Sequence, residues 1–195
     1  DAELRALAEV LLRHPQVWIM TDEIYEHLCY EGLKPVSLAS LDPALYARTL
    51  TINGVSKAYA MTGWRVGFAG GPAALVRAMT TMISQSTSSV PQMSQVAAEH
   101  ALTADQGSVI HNQKIFEARR DRIVAGLNAV PGIRCPKPNG AFYVYPSVEG
   151  LLGRKTPSGK VLETDLDVVM YLLDEAGVAL LDGAAYGLSP YLRMS

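Results

Sequence analysis

Apolar residues recur at helical spacing at the start of the chain and again in four later segments. Leu4, Leu7, Ala8 and Leu11 of the first segment stand three and four residues apart, which predicts an amphipathic helix. The later helices are predicted for GPAALVRAMTTMISQ, VPQMSQVAAEHAL, HNQKIFEARRDRIVAGLNAV and DLDVVMYLLDEAG. Prolines near two of the helix starts and a glycine at the last helix end mark their boundaries.

Short runs rich in β-branched and aromatic residues predict strands between these helices. They are QVWIM (16–20), RTLTIN (48–53), RVGFAGG (65–71), AFYVYP (141–146), VALL (178–181) and YLRMS (191–195). Strands that alternate with helices predict an α/β protein with a mostly parallel sheet. The pattern changes near residue 105, so we predict an α/β domain over 1–105. Residues 106–195 are predicted to be a smaller α+β domain that begins with the long helix.

The composition is that of a compact folded protein. Of 195 residues, 49% are apolar and 18% are charged, and the net charge of −2 predicts neither nucleic acid nor a membrane as partner. No apolar run reaches transmembrane length and no signal peptide is evident. Two cysteines fit a reducing compartment, so we predict a cytoplasmic protein without disulfides. The four histidines lack metal-ligand spacing, so no metal is predicted. Trp64 and the set Met61, Met79, Met82 and Met93 suit a hydrophobic core.

Lys57 stands among small and apolar residues just after the predicted strand 48–53. Open α/β sheets bind ligands at the carboxyl ends of their strands, so this position suits a functional side chain. A lysine held away from water is disfavoured in its charged form and can then attack a carbonyl as an amine. The alternative is a lysine whose charged end extends to solvent, the common arrangement for this residue type.

Arg65 lies eight residues later, between Gly63 and Gly67. A guanidinium binds a phosphate or carboxylate through two parallel hydrogen bonds, and neighbouring glycines allow a close approach. The alternative is a structural ion pair.

The segment TDEIYEHL follows the first predicted strand and places Asp22 at another strand end. Tyr25 is three residues further on, so one helical turn would put both side chains on one face. A buried carboxylate requires a positive partner, such as the protonated ring nitrogen of a cofactor. The alternative is that Asp22 caps a helix that begins here.

These three side chains suit one cofactor. A lysine that forms a Schiff base, an aspartate for a pyridinium nitrogen and an arginine for a phosphate are what pyridoxal phosphate requires of a protein. The segment NGVSKAYAMTGWRVG (53–67) resembles the lysine segment of class I aminotransferases of fold type I, and TDEIYEHLCYEG resembles their aspartate–tyrosine segment. GAFYVYP, DEAGVALLDGAAYG and PYLRMS are similar to landmarks of the family's small domain. The resemblance covers the whole chain and is strongest to bacterial aspartate and aromatic aminotransferases.

The resemblance implies a role for each matching residue. Lys57 would bind the cofactor covalently and move a proton during catalysis, and Asp22 would keep the pyridine nitrogen protonated. Tyr25 would donate to the phenolic oxygen of the ring and Arg65 would bind the phosphate. Arg193 would bind the α-carboxylate of the substrate; the alternative for Arg193 is an exposed strand arginine.

One position departs from the family pattern. Many relatives have a phosphate-binding serine three residues before the lysine, where this chain has Gly54. Ser56 is the candidate for that contact, and the alternative is that Ser56 is a small residue that suits the local packing.

The resemblance also implies that the chain is the C-terminal half of a longer protein that acts as a homodimer. Residues 1–105 would belong to the large cofactor-binding domain and 106–195 to the small domain. The expected activity is transfer of the α-amino group of an aspartate-like or aromatic amino acid to a 2-oxo acid. The alternatives are another fold type I lyase or synthase, an aminotransferase-like regulatory domain, and an inactive fragment.

Overall fold

The computed structural model of the chain describes residues 2–195. They form two compact units, of which the first ends at Gln113 and the second comprises Lys114–Ser195. Each unit has its own clusters of buried apolar side chains. The predicted division at residue 105 refers to the two domains of the family and stays a prediction.

The predicted helices form close to their predicted bounds. The first unit contains α1 (Ala2–Leu12), α2 (Pro43–Tyr46), α3 (Ala73–Ser86) and α4 (Gln92–Thr103). They are followed by α5 (Gly107–Asn128), whose first residues belong to the first unit and whose remaining residues belong to the second. The second unit also contains α6 (Asp165–Ala176). The strands of the first unit are β1 (Ile19–Asp22), β2 (Thr49–Gly54) and β3 (Gly67–Gly70). Those of the second unit are β4 (Leu181–Asp182) and β5 (Leu192–Arg193).

The sheet of the first unit has the strand order β1-β2-β3. β1 and β2 are parallel, with Asp22 opposite Ile52, whereas β2 and β3 are antiparallel, with Gly54 opposite Gly67. The sequence predicted a mostly parallel sheet, and one of these two pairings is antiparallel. β3 follows β2 without the crossover helix that a parallel neighbour requires, which explains its direction.

A small core holds the sheet against the helices that precede its strands. Ala8 of α1, Ile19 of β1 and Leu45 of α2 are buried together. α2 begins with Asp42 as its N-cap, whose side chain accepts a hydrogen bond from the Ala44 backbone N–H at 2.7 Å. This cap and the buried cluster fix the chain that leads into β2.

Much of the apolar surface of the first unit is exposed. α3 has no buried residue, and all four residues of β3 are exposed. The prediction that Trp64 and four methionines fill a core is wrong for Trp64, Met82 and Met93, which are 46%, 70% and 79% exposed. Met61 packs against the buried Val55 cluster, and Met79 is partly buried. Apolar spacing shows that a helix has a face to cover but does not show what covers it.

The second unit is built around α6 and a two-stranded antiparallel sheet, with Leu181 opposite Arg193. α6 begins with a capping box between Thr164 and Asp167 and ends at Gly177, whose φ of 65° is left-handed. The core of this unit contains buried residues from the segment before α6, from α6 and from β5: Val148, Leu162, Val168, Val169 and Leu192.

The segment AFYVYP does not form the regular strand that the sequence predicts. Val144 pairs with Met194 as an isolated bridge, and Ser147 pairs in the same way with Arg134 and Tyr191. The segment begins at Ala141, whose φ of 57° is left-handed, and it contains Pro146, which has no N–H to donate. Extended backbone with single bridges is the result.

Candidate active site

Two predicted site residues lie at the carboxyl ends of neighbouring parallel strands. Asp22 is the last residue of β1, and Lys57 follows Gly54, the last residue of β2. The Glu23 backbone N–H donates to the Ile52 carbonyl at 2.8 Å, so the pairing continues past Asp22. Because β1 and β2 are parallel, both side chains leave the sheet at the same edge, where α/β proteins bind ligands.

Lys57 is held in a turn whose neighbours are buried. Val55 and Ala58 are 0% and 3% exposed, and the Ala60 N–H donates to the Lys57 carbonyl at 3.2 Å. The Lys57 side chain is half-buried, and its Nζ lies 5.8 Å from the centroid of the Tyr25 ring. This distance is within the range of a cation–π contact, so the structure brings Lys57 and Tyr25 together.

Tyr59 fixes the far end of this turn. Its hydroxyl donates to Gln106 Oε1 at 2.9 Å, and Gln106 Nε2 donates to the carbonyls of Ala101 and Ala104. Burial raises the pKa of the Tyr59 phenol, and the charge of Glu26 raises the pKa further. Tyr59 is therefore a neutral hydrogen-bond donor over a wide pH range, and the Lys57 turn is tied to the end of α4.

The segment after Asp22 forms turns, where the sequence predicted that a helix could begin. Asp22 Oδ1 accepts a hydrogen bond from the Ile24 N–H at 3.2 Å, so Asp22 caps a turn rather than a helix. The side chain is exposed, whereas we expected a buried carboxylate. Tyr25 lies within the turn and is half-buried.

A hydrogen bond between Asn53 and Glu26 also crosses this sheet edge, and the sequence did not predict it. Asn53 Nδ2 donates to Glu26 Oε1 at 2.6 Å, and Asn53 Oδ1 accepts from the Gly54 N–H at 2.7 Å. The pair joins the turn after β1 to the last residues of β2. Both residues lie within the segments that the sequence singled out, but nothing in their spacing indicates that they are partners.

Arg65 has an unusual backbone conformation. Its φ of 55° and ψ of 48° are left-handed, which is uncommon for a residue with a side chain. The side chain is exposed, and Nη1 donates to the Thr62 carbonyl at 3.1 Å. Arg65 lies two residues before Gly67, the first residue of β3, which is opposite Gly54. Arg65 therefore stands at the same edge of the sheet as Lys57.

The structure gives a physical reason for the glycine at position 54. A Cβ there would lie 2.9 Å from the Val66 carbonyl oxygen and 3.3 Å from the Gly67 Cα. Both are backbone atoms, so a serine at this position would require β2 and β3 to move apart. Ser56 lies in the Lys57 turn and is half-buried.

Arg193 belongs to the second unit, where it lies on β5. Its guanidinium carbon is 5.2 Å from the centroid of the Tyr143 ring and 4.8 Å from that of Tyr186. The side chain is half-buried, so the alternative of a fully exposed strand arginine is not what the structure shows. Tyr143 and Tyr186 were not predicted as site residues. The only available signal was the alternation of Tyr143 with Tyr145, which places these two side chains on one face of an extended segment.

The described residues also bear on metal sites, disulfides and membrane spans. Within residues 2–195, no cluster of histidine, cysteine and acidic side chains could hold a metal ion. Cys29 and Cys135 are not disulfide-bonded, and burial raises the pKa of both thiols. Among the helices of the described chain, none has the length and hydrophobicity that a bilayer span requires.

The comparisons with known proteins agree with these observations. A profile of the family "Aminotransferase class I and II" matches residues 1–195, and the chain belongs to this family. The chain is 54% identical to a probable aspartate/prephenate aminotransferase of Rhizobium leguminosarum, with 99% of this chain and 48% of the relative covered. The α/β fold is confirmed by a crystal structure of the aspartate aminotransferase from Rhizobium meliloti. That structure superposes on this chain with a TM-score of 0.97 at 51% identity. The match covers 100% of this chain and 48% of the Rhizobium meliloti chain.

A more distant structure, a double mutant of Thermus thermophilus aspartate aminotransferase, has a TM-score of 0.84 at 35% identity. The match covers 98% of this chain and 47% of the Thermus thermophilus chain. The chain thus spans about half the length of the curated relatives that it matches. Pyridoxal phosphate is the general cofactor of this family.

Proposed function

We propose that the protein to which this chain belongs is a pyridoxal-phosphate-dependent aminotransferase. The observation that carries the proposal is the placement of Asp22 at the carboxyl end of β1 and of Lys57 just after the carboxyl end of the parallel strand β2. The family supplies the reaction class, and the sheet edge supplies an amine and a carboxylate where ligands of α/β sheets bind.

The residues at this edge fit the cofactor group by group. The Lys57 amine suits its aldehyde, the Asp22 carboxylate suits its protonated ring nitrogen, and the Arg65 guanidinium suits its phosphate. Tyr25, whose ring is 5.8 Å from Lys57 Nζ, is a donor for the phenolic oxygen. Ser56 is a second phosphate donor in the same turn as Lys57.

The proposed chemistry divides the work between cofactor and chain. When bound, pyridoxal phosphate supplies an electron-withdrawing ring that stabilises negative charge at the substrate α-carbon. Lys57 would hold the cofactor covalently and, as a free amine, would carry the proton from and to the substrate α-carbon. Asp22 keeps the ring nitrogen protonated, because its negative charge favours the cationic form.

The substrate side of the proposal rests on Arg193. Its guanidinium would bind the α-carboxylate of the amino acid and the corresponding carboxylate of the 2-oxo acid through two parallel hydrogen bonds. The names of the relatives support aspartate as an amino donor, and the name of one similar structure, an aromatic aminotransferase from Pyrococcus horikoshii, supports an aromatic one. A role in amino-acid biosynthesis, a cytoplasmic location and a homodimer complete the proposal.

The test is a Lys57→Ala variant of the protein expressed from its complete gene. We expect the visible absorption band of the lysine-linked cofactor to disappear, and amino transfer from aspartate to a 2-oxo acid to fall by at least about a thousandfold, because a proton-transfer group and covalent anchor are lost. Lys34→Ala is the matched control, since Lys34 is an exposed lysine in a loop of the same unit. A Lys57→Ala protein that keeps both the band and the activity would refute the proposal.

A further inference from the structure

Arg193 contacts two tyrosine rings, with its Cζ 5.2 Å from the Tyr143 centroid and 4.8 Å from the Tyr186 centroid. A guanidinium is attracted to the electron-rich face of an aromatic ring within this range. We propose that Tyr143 and Tyr186 form an aromatic clamp, a pair of positioning residues that hold Arg193 ready for the substrate carboxylate. The inference rests on the proposed function of Arg193 and deepens it.

The geometry of a guanidinium explains what such a clamp does. Its two flat faces attract aromatic rings, whereas its N–H groups point outward in the plane and donate to carboxylates. Among residues 2–195, Arg193 has no ion pair with a carboxylate, so its in-plane donors are not taken by a charged partner. Contact with two rings therefore restricts the long side chain before the substrate arrives, and less rotamer freedom is lost on binding.

The loop that carries Tyr186 is closed by a buried aspartate. Asp165 is 2% exposed, and its Oδ2 accepts hydrogen bonds from the Ala184 N–H at 3.1 Å and the Tyr191 N–H at 3.4 Å. The Gly183 N–H also donates to the Tyr191 carbonyl at 2.7 Å. A Cβ on Gly183 would overlap the Leu188 carbonyl oxygen, so the loop closes too tightly for any other residue there.

Tyr145 orients the Tyr186 ring from a second direction. The Tyr145 ring stacks on Tyr191 at 5.5 Å and 14°, and it meets Tyr186 edge-to-face at 6.5 Å and 85°. Tyr186 is nevertheless 50% exposed, so it adds little to the hydrophobic core. A half-exposed ring that is held from two sides against one cation fits a role in positioning better than a role in stability.

The first test compares Tyr186→Leu with Tyr186→Phe in the protein expressed from its complete gene. Leucine keeps apolar bulk but removes the ring, so we expect KM for both the amino acid and the 2-oxo acid to rise about 5- to 30-fold. kcat should stay within about twofold, because the bound carboxylate still engages Arg193. Phenylalanine keeps the aromatic face and should restore both KM values. Tyr46→Leu, a change at an exposed tyrosine of the first unit, is the matched control.

The second test uses a substrate without the α-carboxylate. The primary amine that corresponds to the amino acid should react with the cofactor-loaded enzyme equally slowly in the wild type and in Tyr186→Leu. The preference for the amino acid over this amine should therefore fall by the same 5- to 30-fold factor. Unchanged KM values, or an equal loss for the amino acid and the amine, would overturn the clamp.

A readout without catalysis separates this inference from the proposed function. In protein with 15N-labelled arginine, ring currents from the two neighbouring tyrosines should shift the Nε–H signal of Arg193, assigned by its loss in Arg193→Lys. Tyr186→Leu should move that signal, and Tyr186→Phe should leave it near its wild-type position. If the wild type shows neither cofactor band nor amino transfer, the proposed function fails, and this signal alone decides the clamp. A signal that does not move in Tyr186→Leu would overturn it.

Discussion

Arg65 occupies a backbone conformation that favours glycine, with φ at 55°. A residue with a Cβ loses about 1 kcal/mol or more in this region. We expect Arg65→Gly to be about 1 kcal/mol more stable toward urea than Arg65→Ala when the cofactor is absent. Both variants lose the guanidinium, so both should bind pyridoxal phosphate about 10- to 100-fold more weakly, as measured by absorbance titration.

Ser88→Gly provides the control for this comparison. Ser88 also has a left-handed φ, of 66°, and lies after α3, outside the Lys57 segment. It should gain stability of the same order without a change in cofactor affinity. If the cofactor binds equally well to Arg65→Gly and to the wild type, Arg65 does not hold the phosphate, and its backbone conformation requires another explanation.

At the level of single residues, the sequence showed which side chains carry useful chemistry better than it showed their exposure and their partners. Lys57 and Arg65 could be singled out because an isolated cation among small residues is informative by itself. The exposure of Asp22 and the partnership of Asn53 with Glu26 depend on distant backbone, which spacing does not reveal. The tyrosines around Arg193 were visible only as aromatic residues, since their contact with the cation requires the loop that Asp165 closes.

The N-terminal cap of α6 makes this helix sensitive to acid. Asp167 accepts a hydrogen bond from Lys160 Nζ at 2.7 Å and others from the N–H and hydroxyl of Thr164, each at 3.0 Å. The Lys160 contact, followed by the Thr164 contacts, lowers the pKa of Asp167 to about 2. A carboxyl that is more acidic in the folded state stabilises that state above its ordinary pKa of about 4. This stabilisation is lost as the pH falls from about 4 toward 2.

Urea unfolding of the wild type and of Asp167→Asn between pH 5 and pH 2.5 measures this effect. The wild-type midpoint should fall more steeply with acid, because asparagine keeps an acceptor for the backbone N–H groups but does not titrate. Lys160→Met removes the largest cause of the shift and should give an intermediate slope. Parallel slopes for all three proteins would show that the cap does not contribute to acid sensitivity.

Helices and strands differed in how well the sequence predicted them. α6 was predicted almost to the residue, because its apolar spacing and its terminal Gly177 are local signals. AFYVYP had the composition of a strand but forms only isolated bridges. Strand formation depends on a partner that is distant in the sequence, so composition alone could not decide it.

For the whole molecule, two observations lead to the same inference: apolar surface is exposed, and the chain matches only part of the length of its relatives. α3 buries none of its residues and β3 is exposed throughout, although both carry apolar side chains. Exposed edge strands and large apolar patches promote association, so natural proteins cover them. The chain matches about half of each relative, and polypeptide beyond these 195 residues is the simplest cover.

The 195-residue chain expressed alone should therefore behave differently from the protein expressed from its complete gene. We expect the short chain to self-associate, to enhance the fluorescence of a dye that binds apolar surface, and to form no visible band with pyridoxal phosphate. Met82→Gln with Met93→Gln should reduce self-association of the short chain, because these two side chains are 70% and 79% exposed. The longer protein should be a dimer that forms the band. A short chain that is monomeric, does not bind the dye and forms the band would show that these 195 residues hold the cofactor without further polypeptide.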